Sequence, residues 1–157
     1  MDVMISNIAH HLIDESSLLA TAESCTGGWI AKSITDVAGS SQWFDRGFIT
    51  YSNAAKVEML GVNPDLLDKY GAVSEQVAAA MAAGVLLNSR SEYGLSVTGI
   101  AGPGGGSADK PVGTVCFGWA KKNHSGYTET KIFSGNREEI RYQSVNYALE
   151  GLVKRYF

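Results

Sequence analysis

Apolar side chains recur at helical spacing along the start of the chain. Ile5, Ile8 and Leu12 fall on one face, with Asp14 and Glu15 near the end, which predicts an amphipathic helix over residues 2–16. Leu18-Leu-Ala-Thr-Ala22 has neither that period nor polar alternation, as expected of a buried parallel strand. It runs into Glu23-Ser-Cys-Thr-Gly-Gly28, after which Ile30, Ile34 and Val37 mark one side of a second helix. Residues 44–51 predict a second strand, with Trp43 and Phe44 supplying apolar bulk. Two short helices follow, one capped by Ser52 or Asn53 and ending at Gly61, the other opening at Asn63-Pro64 and stopped by Gly71. Ser74 caps a clearer helix reaching about Asn88. There Val77, Met81 and Val85 recur among alanines small enough to allow close packing.

The second half adds a third strand, Tyr93 to Val97, which opens into Thr98-Gly-Ile-Ala-Gly-Pro-Gly-Gly-Gly-Ser107. Residues 112–120 and 127–133 predict an antiparallel pair turned by Asn123-His-Ser-Gly126. Asn136-Arg-Glu-Glu139 resembles a capping box, and the helix after it directs Val145, Ala148, Leu149, Leu152, Val153 and Tyr156 inward. Helices interleaved with strands, then a hairpin and a closing helix, predict an α/β fold. Its expected form is a three-layer α/β/α sandwich around a mixed, mostly parallel sheet. A chain of 157 residues forms one domain on this reading, residues 1–157.

Composition narrows the function classes. Hydrophobic residues make up 45% and charged residues 18%, the balance of a packed globule and not of a disordered chain. No apolar run is long enough to span a bilayer, and the N-terminus lacks a basic region before its apolar residues, so no membrane partner and a cytoplasmic location are expected. Net charge is −3 and the basic pairs Lys121-Lys122 and Lys154-Arg155 are isolated, so no nucleic-acid partner is expected. Cys25 and Cys116 have no metal-ligand spacing and read as small buried hydrophobes, and neither a metal nor a cofactor is expected. His10 and His11 read as partly exposed helix residues, and His124 as a hairpin-tip residue.

Four features carry candidate chemistry. The strand–glycine turn–helix at residues 18–37 is a geometry that aims backbone N–H groups at an anion, or else a tight turn with Thr26 as N-cap. The loop from Thr98 to Ser107 lacks the Gly-Lys-Ser/Thr ending of a phosphate-binding loop and the Gly-x-Gly-x-x-Gly of a dinucleotide fold. It offers backbone donors to a phosphate or carbonyl, or is simply flexible. Arg137, in the first turn of the last helix, stands where the helix dipole disfavours a cation, so it is either an anion ligand or a solvated side chain. Finally, Ser41, Tyr51 and Lys56 supply a nucleophile, a proton relay and a base. A lysine with its pKa lowered by desolvation can take a serine proton, although a surface lysine and a core tyrosine would read the same in sequence. Ser24, in a strand-to-helix turn, is a competing nucleophile.

The motifs Thr21-Ala-Glu-Ser-Cys-Thr-Gly-Gly28, Gly39-Ser-Ser41, Tyr51-Ser-Asn-Ala-Ala-Lys56, Gly71-Ala-Val-Ser-Glu75, Thr98-Gly-Ile-Ala-Gly-Pro103, Lys110-Pro-Val-Gly-Thr114 and Phe133-Ser-Gly-Asn-Arg137 follow one another along nearly the whole chain. In that order they resemble the CinA C-terminal domain family, which includes stand-alone nicotinamide-nucleotide amidases. The resemblance implies a metal-independent amidohydrolase that converts nicotinamide mononucleotide to nicotinic acid mononucleotide and ammonia in pyridine nucleotide recycling. It implies Ser41 as nucleophile, Lys56 as base and Tyr51 as assistant. It also implies a pocket lined by Ser24, Thr26, Gly27, Gly28, Thr98, Gly99 and Arg137. Asn136 stands where many relatives are expected to have Asp. Longer members carry a further N-terminal domain of molybdopterin-binding type, whose functions are not carried over. The expected partners are the small-molecule substrate and, in a homo-oligomer, copies of the chain itself. The alternatives are an amidase for another substrate and a non-catalytic nucleotide-binding paralogue.

Overall fold

A computed structural model describes residues 1–157. In chain order the elements are α1 (Asp2–Asp14), β1 (Leu19–Glu23), α2 (Trp29–Thr35), a 3-10 turn (Ser40–Gln42), β2 (Phe44–Ile49), α3 (Asn53–Leu60), α4 (Pro64–Tyr70), α5 (Glu75–Leu87), β3 (Tyr93–Gly99), β4 (Thr114–Lys121), β5 (Tyr127–Ile132) and α6 (Arg137–Tyr156). One five-stranded sheet has the order β2-β1-β3-β4-β5. β2, β1 and β3 run parallel, and β4 is antiparallel to both β3 and β5. The expected three-layer α/β/α arrangement with a mixed sheet is observed. No helix is long and apolar enough to cross a membrane.

Alternation along the strands divides the sheet into two unlike faces. Leu19, Tyr93, Leu95, Val97, Val115, Phe117 and Trp119 point to one side. They pack with Ile5, Ile8 and Leu12 of α1, Ile30 and Ile34 of α2, and Val145, Leu149 and Leu152 of α6. On the other side β1 presents Ala20 and Ala22 to Val77, Met81 and Val85 of α5. There β3 and β4 contribute side chains of minimal size. Ser96 Oγ donates to the Ala78 carbonyl at 2.6 Å. A Cβ on Gly94 would lie 2.9 Å from the Ala82 carbonyl oxygen, and one on Gly118 would lie 2.5 Å from that of Ala78. Helix α5 therefore rests almost directly on the sheet backbone.

Close seating of α5 brings the segment before it to the carboxyl ends of the strands. Thr98 Oγ1 donates to the Ala72 carbonyl at 2.9 Å, and Lys110 Nζ to the Tyr70 carbonyl at 2.6 Å. Caps fix where the neighbouring helices begin. Ser52 accepts from the Ala55 amide, Ser74 from the Val77 amide, and Asn136 forms a full capping box with Glu139. The strand expected from residue 112 begins instead at Thr114, because Gly113 adopts a φ of 95° and packs against the Phe133 carbonyl.

Gly118→Ala is expected to destabilise the fold by about 1–3 kcal/mol, since the added methyl meets the Ala78 carbonyl as well as Ser96 Oγ, and the backbone carbonyl cannot swing aside. In thermal unfolding this reads as a drop of roughly 3–10 °C, and an unchanged melting temperature would show that the α5 face has room to spare.

Candidate active site

Parallel strands β1 and β2 end side by side, so the residues that follow them meet. Ser24 follows β1 directly, and Lys56 lies one turn into α3, which follows β2. The residue is 1% exposed. Its Nζ donates to Ser24 Oγ at 3.1 Å and to the Thr50 carbonyl at 3.0 Å, so both partners are neutral oxygens. Burial pushes its pKa below the ordinary lysine value, opposed by the nearby Cys25. A lysine that sheds its proton easily, beside a serine hydroxyl, is the nucleophile–base arrangement.

The pair opens into a recess of about 240 Å³ lined by Ser24, Cys25, Tyr51, Asn53, Lys56, Ala72, Val73, Thr98, Gly99, Ala101 and Arg137. Arg137 crosses its mouth from α6, with Nη1 donating to the Gly102 carbonyl at 2.8 Å and Nη2 to Tyr51 Oη at 3.2 Å. Tyr51, 63% exposed, stands on the rim held by this guanidinium. Gly99 allows the loop after β3 to pass close to Val115, whose side chain would lie 2.7 Å from an added Cβ. Cys25 is not a rival nucleophile, because burial pushes its thiol up to about 12.

Expected site residues therefore divide. The structure brings together Ser24, Tyr51, Lys56, Thr98, Gly99 and Arg137. It does not bring Ser41 to them. Ser41 is exposed in the 3-10 turn before β2, while Tyr51 and Lys56 follow the strand's other end. Six extended residues separate the two by roughly 20 Å, and the serine at the Lys56 amine is Ser24. Thr26, Gly27 and Gly28 face a different, shallow basin with Trp29, Lys32 and Arg141. Thr26 is not the side-chain cap of α2. That place is taken by Glu23, whose carboxylate accepts from the Ile30 and Ala31 amides. The anion at this glycine turn is thus the chain's own side chain.

Sequence reasoning missed Cys25, Asn53, Ala72, Val73 and Ala101 as recess walls, and it missed the role of Thr50. Only the Thr50 backbone carbonyl takes part, and a carbonyl leaves no mark on residue type. Glu23 was legible in principle, as an acidic residue just ahead of a helix start.

A larger concavity, about 770 Å³, lies between the start of α5 and β5. Its Glu75 accepts from the Thr128 and Thr130 hydroxyls, and its Lys110 is bonded to a carbonyl, so no base there meets a nucleophile. The smaller recess is the better site for chemistry. No group of three or more His, Cys, Asp or Glu side chains converges anywhere.

Comparison with known proteins agrees with this architecture. A protein of Enterobacter agglomerans named nicotinamide-nucleotide amidohydrolase PncC is 58% identical over 135 residues, covering 86% of this chain and 82% of that one. Its namesake from Escherichia coli K12 is 54% identical over 138 residues, covering 88% and 84%. The crystal structure of the competence/damage inducible protein CihA from Agrobacterium tumefaciens superposes with a TM-score of 0.89 at 46% identity, covering 96% of this chain and 94% of that one. The family described as CinA C-terminal domain matches residues 1–156, and the chain belongs to that family.

Proposed function

We propose that the protein hydrolyses the carboxamide of nicotinamide mononucleotide to nicotinic acid mononucleotide and ammonia, with Ser24 as nucleophile and Lys56 as base. The observation that carries the mechanism is the buried Lys56 amine 3.1 Å from Ser24 Oγ. The substrate follows the relatives named nicotinamide-nucleotide amidohydrolase.

A neutral Lys56 has one lone pair and two N–H bonds. Donating one N–H to the Thr50 carbonyl leaves the lone pair for the Ser24 hydroxyl proton. Ser24 Oγ attacks the carboxamide carbon as its proton passes to Lys56. The tetrahedral intermediate then expels the amide nitrogen, which takes that proton and leaves as ammonia. Water attacks the resulting ester, again giving a proton to Lys56, which returns it to Ser24 Oγ as the acid departs. The oxyanion needs donors in place beforehand. The Cys25 backbone N–H, next to the nucleophile in the lining of the recess, donates to no other backbone group and can supply one.

The recess accommodates the pyridine carboxamide and leaves the nucleotide's phosphate at the mouth. Arg137 stands there with donors beyond the two it uses on Gly102 and Tyr51. A phosphate would meet a guanidinium already oriented by two hydrogen bonds.

Ammonia release from nicotinamide mononucleotide tests the nucleophile directly. Ser24→Ala is expected to lose at least about 10³-fold in kcat, and Ser41→Ala to stay within about threefold of the parent. The reverse pattern would assign the chemistry to Ser41 and overturn the Ser24 reading.

The pH profile tests the base. Only neutral Lys56 accepts the proton, so kcat rises with pH as the amine deprotonates, with a midpoint below 10.5 because burial lowers its pKa. Lys56→Met should be inactive throughout. A parental profile that is flat, or rises only at or above the ordinary lysine value, counts against it.

Arg137→Ala is expected to raise KM for the mononucleotide about tenfold or more while changing turnover of nicotinamide riboside by less than about threefold. Equal losses on both substrates would place Arg137 in the framework of the recess and not on the phosphate.

A further inference from the structure

Glu23 is a buried acidic residue that the hydrolysis above does not use. It is 1% exposed and immediately precedes Ser24. Both its carboxylate oxygens are engaged, one by the Ile30 amide at 2.8 Å and the other by the Ala31 amide at 3.0 Å. The same residue's backbone carbonyl accepts from the Thr50 amide at 2.9 Å. The Thr50 carbonyl in turn receives Lys56 Nζ. One residue is thus bonded to the helix that closes the nucleophile's turn and to the residue that anchors the base.

The turn needs such a clamp. Between Glu23 and Ile30 the chain reverses through Gly27 and Gly28, at φ of 60° and 98°, where the backbone has the most freedom to lose. Ser24 N–H is held by the Val97 carbonyl at 3.0 Å, which fixes the start of the turn. Arg141 grips its outer side, with Nε and Nη2 donating to the Cys25 and Thr26 carbonyls at 2.9 and 3.0 Å. The Glu23 carboxylate fixes the far end against α2. Together these bonds turn the Cys25 and Thr26 carbonyls outward to Arg141.

We propose that Glu23 is a positioning residue for the nucleophile: its carboxylate locks the turn so that Ser24 Oγ meets the Lys56 amine. This rests on the reading of Ser24 as nucleophile. The geometry requires a carboxylate. Glutamine keeps the volume but offers one oxygen to two converging amides and sets an NH2 against the other. Aspartate is one methylene short of α2. Glu23 is not part of the recess lining, so its loss misplaces the serine without removing a wall of the recess.

The test compares the parent, Glu23→Gln, Glu23→Ala, Ser24→Ala and the Glu23→Gln/Ser24→Ala double variant in ammonia release from nicotinamide mononucleotide, with melting temperature as the check on folding. Glu23→Gln is expected to lose about 10-fold and Glu23→Ala about 100-fold in kcat, with KM within about threefold of the parent, because misplacement of a reacting group is felt in the chemical step. Glu23→Gln should add nothing to Ser24→Ala, since there is no nucleophile left to position. A purely structural role gives a different result: Glu23→Gln then keeps parental kcat once folded, or multiplies its loss onto the residual rate of Ser24→Ala, and either overturns the proposal. If Ser24→Ala is inactive while Glu23→Gln is parental, this proposal falls alone. If Ser24→Ala keeps the parental rate, the nucleophile reading falls and takes this proposal with it. Should Glu23→Ala fail to fold, the isosteric Glu23→Gln decides.

Discussion

A lysine amine held in a dry place with only neutral oxygens for company is the constraint to which the rest of the molecule conforms. Two charged partners would have made Lys56 comfortable and chemically inert, because a nearby carboxylate holds an ammonium protonated. Its bonds go instead to a serine hydroxyl and a backbone carbonyl. The arrangement requires the carboxyl ends of β1 and β2 to lie adjacent, which their parallel pairing ensures. It also requires α3 to start close after β2, which Ser52 secures by capping it. The nearest acidic residue in sequence to the nucleophile, Glu23, is turned away onto α2. A negative charge is thus kept within the framework of the turn without reaching the base.

The elements were readable wherever one residue type answers to one local force. The strand expected at Leu18–Ala22 and found at Leu19–Glu23 shows no polar alternation because both its faces are covered, and the caps at Ser74 and Asn136 sit where a side-chain oxygen can satisfy a free amide. The mixed character of the sheet followed from alternating helices and strands ending in a hairpin. The strand order did not, since order among parallel strands depends on which faces pack after long crossovers.

The site was half legible for a related reason. Lys56, Tyr51, Thr98, Gly99 and Arg137 stand at element ends that a parallel sheet gathers on one edge. Ser41 is nearer to Lys56 along the chain than Ser24 is, but the intervening residues are extended, so closeness in sequence becomes distance in space. Ser24 is farther along the chain and adjacent in the fold. Thr26 misled in a similar way. A threonine before a helix is a good cap, but a glutamate at the end of the preceding strand, with two oxygens, outcompetes one hydroxyl for two amides.

The unequal faces of the sheet bear on how this chain can drift over generations. Under α6 the large side chains share space, so a loss at one position can be made good by a gain at its neighbour. Under α5, glycine at positions 94 and 118 is already the smallest residue there is, and every substitution adds atoms against a backbone that has nowhere to go. Leu86 and Ser96 are side chains within reach there, but the Ala82 and Ala78 carbonyls beside them are not free to give. This is also the face that carries Ala72 and Val73 to the recess. The wall of the pocket is thereby tied to the least negotiable surface of the protein, and the freedom to reshape what the recess accepts is left to the rim.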